Sequence, residues 1–231
     1  MGQGVVGYAF GENRADSQVA EFADHGRDRQ TQAQLYGGWS GGAFYAMGQL
    51  GAGHYERDLD RHLLLGDTWF GTNSRYDGQF SSAGLEGGYS ARMGAHARMV
   101  PYAGLQYARV ETPAFAESGG LGYGLRSDGG NTSRTLAVTG LRAAFEGRRW
   151  EWGAYAEWQQ PLASQGDTLQ ASFTGVDAWA PLQMLEPGAA TLFGVSAAAR
   201  LARSANLALA YDQRVGSNPA RAWSLRYAFG F

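Results

Sequence analysis

Histidine is the side chain in this sequence best suited to acid–base catalysis. The chain has four of them: His25, His54, His62 and His96. Two have carboxylates nearby in the chain, because Asp24 precedes His25 and both Asp58 and Asp60 precede His62. An imidazole oriented by a carboxylate is a common general base. Both histidines fall in polar stretches, however, where neighbouring charged residues are usually only solvated, so we expect no catalytic residue here.

Metal, thiol and phosphate chemistry have little support. The chain contains no cysteine, which excludes disulfides, thiolate ligands and a cysteine nucleophile. The segments "SDGGN" (127–131) and "YDG" (76–78) contain fragments of calcium loops but lack the spaced oxygen ligands of such loops. The glycine-rich "GGLGYG" (119–124) does not lead from a strand into a helix, as a phosphate-binding loop does. We therefore expect no metal ion and no cofactor.

Composition limits the classes of partner. With 19 basic and 21 acidic residues the formal net charge is −2, and no basic run is long enough to follow a nucleic-acid backbone. No apolar stretch approaches the roughly 20 residues of a membrane-spanning helix. Residues 1–20 also lack a basic segment followed by an apolar run, so we expect no signal peptide and interpret the chain as a fragment of a longer exported precursor.

The last ten residues, "AWSLRYAFGF" (222–231), alternate between large apolar and small or polar side chains. The apolar set is Trp223, Leu225, Tyr227, Phe229 and Phe231. Side chains in a β-strand point to opposite faces with a period of two, so this stretch predicts a strand with one apolar face. An exposed apolar terminal strand is an aggregation hazard in water, and a lipid cover removes that hazard.

The alternation recurs along the chain and predicts ten strands. The segments are 4–11, 31–39, 43–55, 80–90, 99–110, 134–145, 149–159, 191–202, 206–214 and 222–231. Short links are expected at 40–42, 93–97, 147–148 and 203–205, and long polar links at 12–29, 57–78, 111–131 and 162–188. Short turns at one rim and long loops at the other are typical of an outer-membrane barrel. The predicted fold is thus all-β, an antiparallel up-and-down transmembrane β-barrel spanning residues 1–231.

In such a barrel the apolar positions face lipid and the polar positions face the lumen. Backbone groups inside a bilayer must all be paired, which requires the sheet to close. The residues predicted to line the pore are polar or charged and sit opposite apolar neighbours: Glu86, Gln106, Arg142, Glu151, Glu157, Arg200, Asp212 and Arg226. Opposite charges among them are expected to pair across a wet interior.

Five segments stand in this order along the chain: "LYGGW", "FYAMGQLGAGHYERDLDRHLLLG", "YDGQFSSAGLEGGYSARMG", "VPYAGLQYARV" and the closing "LRYAFGF". As an ordered set they resemble the C-terminal β-domain of autotransporters, the type V secretion proteins. The resemblance implies a twelve-stranded barrel in the bacterial outer membrane, with a helix running through the pore into a surface-exposed passenger. Residues 4–13 resemble the family's third strand, so the helix and two strands are expected upstream of this chain.

The resemblance also implies partners and a role. A monomeric, non-enzymatic barrel in outer-membrane lipid would support export of a covalently linked N-terminal passenger. The alternating C-terminus, Trp223 to Phe231, would be the signal read by the barrel-assembly machinery, by strand addition to a sheet edge. Two alternatives stay open, a small stand-alone pore and a hydrolase whose active site lies in the loops, with His25 and His62 as the residues to mutate.

Overall fold

The computed structural model describes residues 2–19, 24–166, 168–183, 188–202, 205–216 and 219–229. Ten long strands run antiparallel, each pairing with the next in chain order. Their bounds are β1 (Gln3–Val19), β2 (Asp24–Gly41), β3 (Phe44–Leu65), β4 (Thr68–Tyr89), β5 (Ala97–Thr112), β6 (Gly130–Glu146), β7 (Trp150–Gln165), β8 (Ala190–Ala202), β9 (Ala205–Gly216) and β10 (Ala220–Phe229). The prediction of an antiparallel meander is therefore confirmed.

Short links gather at one end of the sheet, which we call the short-turn end. Gly42 begins the β2–β3 turn with φ 63°, a left-handed conformation that glycine adopts without strain. β4 and β5 are joined through a three-residue strand, Ala91–Met93, that pairs with the start of β5. The β6–β7 link spans residues 147–149. The predicted turn at 203–205 falls between β8 and β9, and residues 203–204 lie outside the described residues.

Two of the predicted long polar links are wrong, because the chain there is β-strand. β1 and β2 extend through most of 12–29, and β3 and β4 extend through 57–78, with a tight turn at Gly66. β3 is 22 residues long, about twice the 9–11 residues that cross a bilayer. The apolar alternation disappears in the surplus residues, as expected for strands that continue past the bilayer into water on both faces.

Cross-strand ion pairs hold these extensions together. Arg57 Nε lies 2.6 Å from Asp28 Oδ1, and Arg29 Nε lies 2.7 Å from Glu12 Oε1. The hydrogen bond from Arg29 is the largest influence that lowers the pKa of Glu12 below its ordinary value. Exposed pairs such as Glu12 and Arg29 contribute little individually, but opposite charges on facing strands favour this register over a slipped one.

The other two long connections contain strands of their own. Four short segments, Phe115–Ala116, Leu125–Ser127, Thr168–Phe173 and Ala180–Gln183, form a separate small sheet. Contacts with β3 and β4 hold this part of the chain in place. Arg61 on β3 donates two hydrogen bonds, of 2.8 and 2.6 Å, to the buried carboxylate of Glu117. The ring of Tyr76 on β4 stacks on that of Phe115, with 4.8 Å between centroids. The glycine-rich segment forms a 3-10 turn at Gly120–Gly122 within this connection.

The register gives the large sheet two unlike faces. The outer face carries large apolar side chains in the open: Trp150 is 55% exposed, Trp152 56% and Leu225 72%. Only four apolar residues in the described part of the chain are buried: Tyr102, Val138, Ala190 and Ala205. A water-soluble sheet would bury such a face, because each large side chain gains about 1.5–3 kcal/mol when it leaves water. Lipid is the cover that fits an apolar band of this kind.

The opposite, inner face lies on the inside of a strongly curved sheet. Residues from β3 and β9, including Tyr45 and Asp212, line one cavity of about 750 Å³. On a flat sheet these strands would stand roughly 29 Å apart, at about 4.8 Å per strand. Among the described residues, β1 and β10 each pair on one side only. Within the same residues no helix is long and apolar enough to cross a membrane.

Candidate functional site

The inner face is the candidate functional surface, and the register places all eight predicted polar residues on it. Gly104 on β5 pairs with Glu86, which puts Gln106 on the same face two residues along. Arg142 pairs with Tyr155, and Glu157 lies two residues further along β7 on the same face. Asp212 shares the row of Tyr155, because both pair with Gly194. The cross-strand register of β7, β8, β9 and β10 adds the remaining members: Glu151, Arg200 and Arg226.

Arg142 is the centre of a network on this face. Its guanidinium donates two parallel hydrogen bonds to Glu86 on β4, of 2.6 and 2.7 Å. The Tyr45 hydroxyl donates to the same carboxylate at 2.7 Å and accepts from Arg142 at 3.1 Å. Two-pronged arginine–carboxylate pairs are among the stronger charged contacts and fix both partners in the plane of the fork. The side chains of β3, β4 and β6 are thereby tied together.

The network continues from Arg142 to β9. The guanidinium carbon lies 3.7 Å from the centre of the Tyr102 ring, a cation–π contact. Tyr102 donates its hydroxyl proton to Glu157 at 2.7 Å, and Gln159 donates to Glu157 at 2.8 Å. Arg214 on β9 completes the chain by donating to Gln159 at 3.0 Å. An unbroken series of polar contacts therefore crosses from β3 to β9.

Three tyrosines of the inner face lie flat over glycines on the neighbouring strand. A Cβ atom added at Gly88 would lie 2.4 Å from the Tyr45 ring, and one at Gly194 would lie 2.4 Å from the Tyr155 ring. Gly140 leaves the same space for Tyr102. Each ring can therefore lie across the neighbouring strand, and its hydroxyl reaches a carboxylate on that strand or on the next one. Tyr155 on β7, for example, donates to Asp212 on β9 at 2.8 Å.

Five of the eight predicted residues lie on this face outside the network centred on Arg142; Asp212 is one of them and accepts its hydrogen bond from Tyr155. Glu151 and Arg200 form an ion pair of 3.6 Å near the short-turn end. Gln106 lines a small cavity of about 90 Å³ beside Glu86, and Arg226 is exposed on β10. No described contact gives Gln106, Glu151, Arg200 or Arg226 a chemical role.

Sequence reasoning missed four members of the network: Tyr45, Tyr102, Gln159 and Arg214. The two tyrosines lie within predicted strands, but the sequence of one strand does not show that a tyrosine hydroxyl reaches a carboxylate on another. The signal was present as glycines at alternate positions of the facing strands, for instance Gly88 opposite Tyr45. A glycine inside a strand often marks close approach of another group.

The histidines lie apart from this surface's network. His25 and His62, expected in loops, belong to β2 and β3. The backbone N–H of His62 donates to Asp24 at 2.7 Å, while His54 Nε2 lies 3.8 Å from Asp77. His96 contacts the carbonyl oxygen of Glu146 at 3.1 Å. In the described ranges, no three His, Cys, Asp or Glu side chains converge on a point where a metal ion would bind.

The predicted assembly signal forms the last strand. Trp223, Leu225 and Tyr227 lie on the outer face of β10 and are 61–72% exposed. The ring of Trp223 contacts that of Tyr211 on β9, with 4.6 Å between centroids. Phe229 ends the strand, and Phe231 lies outside the described residues.

Comparison with known proteins identifies the family. The sequence profile of the autotransporter β-domain matches residues 1–212. The translocator domain of the autotransporter NalP from Neisseria meningitidis has 16% identity and a TM-score of 0.68, covering 100% of this chain and 82% of that one. The β-domain of the Bordetella autotransporter BrkA has 18% identity and a TM-score of 0.64, covering 100% and 84%. No curated protein sequence matches the chain.

At these identities the two solved structures show a shared fold. The profile match shows that the chain belongs to the autotransporter β-domain family of the bacterial outer membrane.

Proposed function

We propose that this β-domain anchors a longer polypeptide in the outer membrane and supports export of an N-terminal passenger to the cell surface by type V secretion. The observation that carries the proposal is the pairing of an exposed apolar outer face with a polar inner face around a cavity of about 750 Å³. Such a domain presents a wet passage inside and a lipid-compatible surface outside. Family membership supplies the expectation of a passenger.

The inner-face residues would act by hydration and by contact with the segment that occupies the passage. Glu86, Arg142, Glu157 and Asp212 already have partners, so they would offer a polar wall of fixed geometry. Gln106, Glu151, Arg200 and Arg226 would solvate the passage near them. No step in this mechanism breaks or forms a covalent bond, and we accordingly propose no catalytic residue and no cofactor.

The last strand is proposed to be read by the barrel-assembly machinery. Among the described residues, β10 pairs with β9 on one side only, so the backbone N–H and C=O groups of its other edge can bind a partner strand. The alternating apolar side chains of β10 would fix the register of that pairing. Deleting residues 222–231 should abolish insertion into the outer membrane. The matched control replaces Ser224 and Arg226, on the inner face of the same strand, with alanine. Normal membrane insertion of the deletion variant would refute this assignment.

Export is tested on the native polypeptide. Antibody raised against this domain should detect a precursor much larger than the 24.8 kDa chain, and protease added to intact cells should remove its N-terminal part. The β-domain should remain in the outer-membrane fraction. A product of about this chain's size would contradict passenger export and would favour a small pore or a loop-borne hydrolase.

The two alternatives make different predictions. A simple open pore would conduct small solutes without any passenger, whereas the proposed role predicts that the passage serves an exported polypeptide. A hydrolase requires a histidine with a reactive partner, and mutation of His25 and His62 would test for one. We further propose that the domain works as a monomer in outer-membrane lipid and does not bind nucleic acid, in keeping with its near-neutral charge.

A further inference from the structure

The outer face has a groove near the short-turn end, on strands β5 to β10. Its volume is about 730 Å³, and nearly all of its lining is apolar. Small residues of the lining lie in register with their neighbours, since Ala143 pairs with Ala154 and Ala197 pairs with Trp152. Larger side chains, among them Phe145 and Trp152, form the walls. The groove is long and apolar, and on a lipid-facing surface it suits a hydrocarbon chain.

A second hollow of about 650 Å³ adjoins the groove and shares Phe145 and Trp152 with it. The rings of Trp150 and Trp152 stack here with 6.5 Å between centroids. Tryptophans of this kind mark the boundary between lipid tails and water on outer-membrane proteins. Arg148 and Arg149 also line this hollow, which places two guanidinium groups at the boundary.

The charges at this end are unbalanced. Glu146 pairs with Arg98 at 3.2 Å, and Glu151 pairs with Arg200 at 3.6 Å, so both glutamates already have cationic partners. Among the described residues, neither Arg148 nor Arg149 forms an ion pair, and both are exposed. Two arginines that are consecutive in the chain, line the same hollow and have no carboxylate partner are complementary to a phosphate group.

We propose that this surface binds an anionic glycerophospholipid. The phosphate lies against Arg148 and Arg149, the glycerol region lies beside Trp150 and Trp152, and one acyl chain occupies the groove over Ala143 and Ala154. Both elements are needed: the arginines select for a negatively charged headgroup, and the groove holds the chain. The site lies on the opposite face of the sheet from the passage proposed for export, and the single layer of strands that contains Ala143 and Ala154 lines both.

The test uses the full-length protein, purified in detergent and offered dioleoylphosphatidylglycerol or dioleoylphosphatidylcholine at equal concentration. Native mass spectrometry counts the retained lipids. The wild-type protein should retain the glycerol lipid in preference to the choline lipid. Replacing Arg148 and Arg149 with glutamine should lower the affinity for the glycerol lipid about thirtyfold, since each interfacial arginine contributes about a fivefold factor to anionic-lipid binding. Affinity for the choline lipid should hardly change.

The matched control is R14Q/R27Q, which removes two exposed arginines from the opposite end of the sheet. It should leave both affinities unchanged. Filling the groove with Ala154→Phe should weaken retention of both lipids, and A197L serves if A154F does not give the heat-modifiable band of a folded barrel. Equal retention of the two lipids by the wild type, or equal losses in R148Q/R149Q and R14Q/R27Q, would overturn the proposal.

Discussion

Gly88 provides a direct test of how the inner face is assembled. A Cβ atom at this position would lie 2.4 to 2.7 Å from three atoms of the Tyr45 side chain, which are its three nearest neighbours. Gly88→Ala must therefore displace the ring. The Tyr45 hydroxyl then loses its 2.7 Å hydrogen bond to Glu86. The backbone of β4 has no left-handed conformation at Gly88, so alanine is otherwise compatible with the strand.

The expected loss of stability is about 2 kcal/mol. A hydrogen bond to an ionised group contributes roughly 1.5–3 kcal/mol, and the low end applies because the Glu86 side chain is 20% exposed to solvent. The bidentate pair between Glu86 and Arg142 remains. In a Tyr45→Ala background, Gly88→Ala should cost less than about 0.5 kcal/mol, because the clash has been removed.

The measurement is urea unfolding of the folded domain in lipid vesicles, followed by the fluorescence of its 7 tryptophans. Gly87→Ala is the matched control: it is the adjacent residue, and its nearest neighbour is a backbone oxygen at an ordinary 3.7 Å. Refutation would come from an equal cost of Gly88→Ala with and without the Tyr45 ring, or from an equal cost at Gly87.

Two further predictions concern the outer face and the strand extensions. Leu105→Arg, in the middle of the apolar face of β5, should destabilise the domain by about 2–4 kcal/mol in vesicles. The control Gln106→Arg, on the inner face of the same strand, should cost less than about 1 kcal/mol. Equal costs of the two variants would contradict the assignment of faces. Arg29→Ala should raise the lowered pKa of Glu12 towards its ordinary value, measured by carboxyl NMR titration. The stability from this pair is present above the unfolded glutamate pKa and is lost as pH falls through the folded pKa, so an unchanged titration in the variant would count against the pair.

The strands of the bilayer-facing band were predictable from sequence because two solvents meet at one sheet. Lipid on one face and water on the other impose a period of two, which residues such as Trp150 and Trp152 display against Glu151. Beyond the membrane both faces meet water, and the period vanishes although the strand continues. The polar runs around Asp28 and Arg57 were accordingly mistaken for loops.

The polar network was only half predictable for a different reason. A charged residue in an alternating strand lies on the face that is not apolar, so Glu86 and Arg142 could be assigned to the inner side from sequence alone. Which of them meet depends on curvature and on the stagger between strands, and neither is encoded in the residues of one strand. Tyr45 and Tyr102 entered the network through glycines on other strands.

Because the strands differ in length, the end of the sheet opposite the short turns is slanted. β3 has 22 residues and β9 has 12, which amounts to roughly 33 Å of additional wall at about 3.3 Å per residue. If the domain exports a passenger as proposed, a polypeptide leaving the passage beside β9 would reach open water while its other flank still ran along β3 and β4. Those two strands, stiffened by ion pairs such as Arg57 with Asp28, would then set the direction in which the exported chain leaves the membrane.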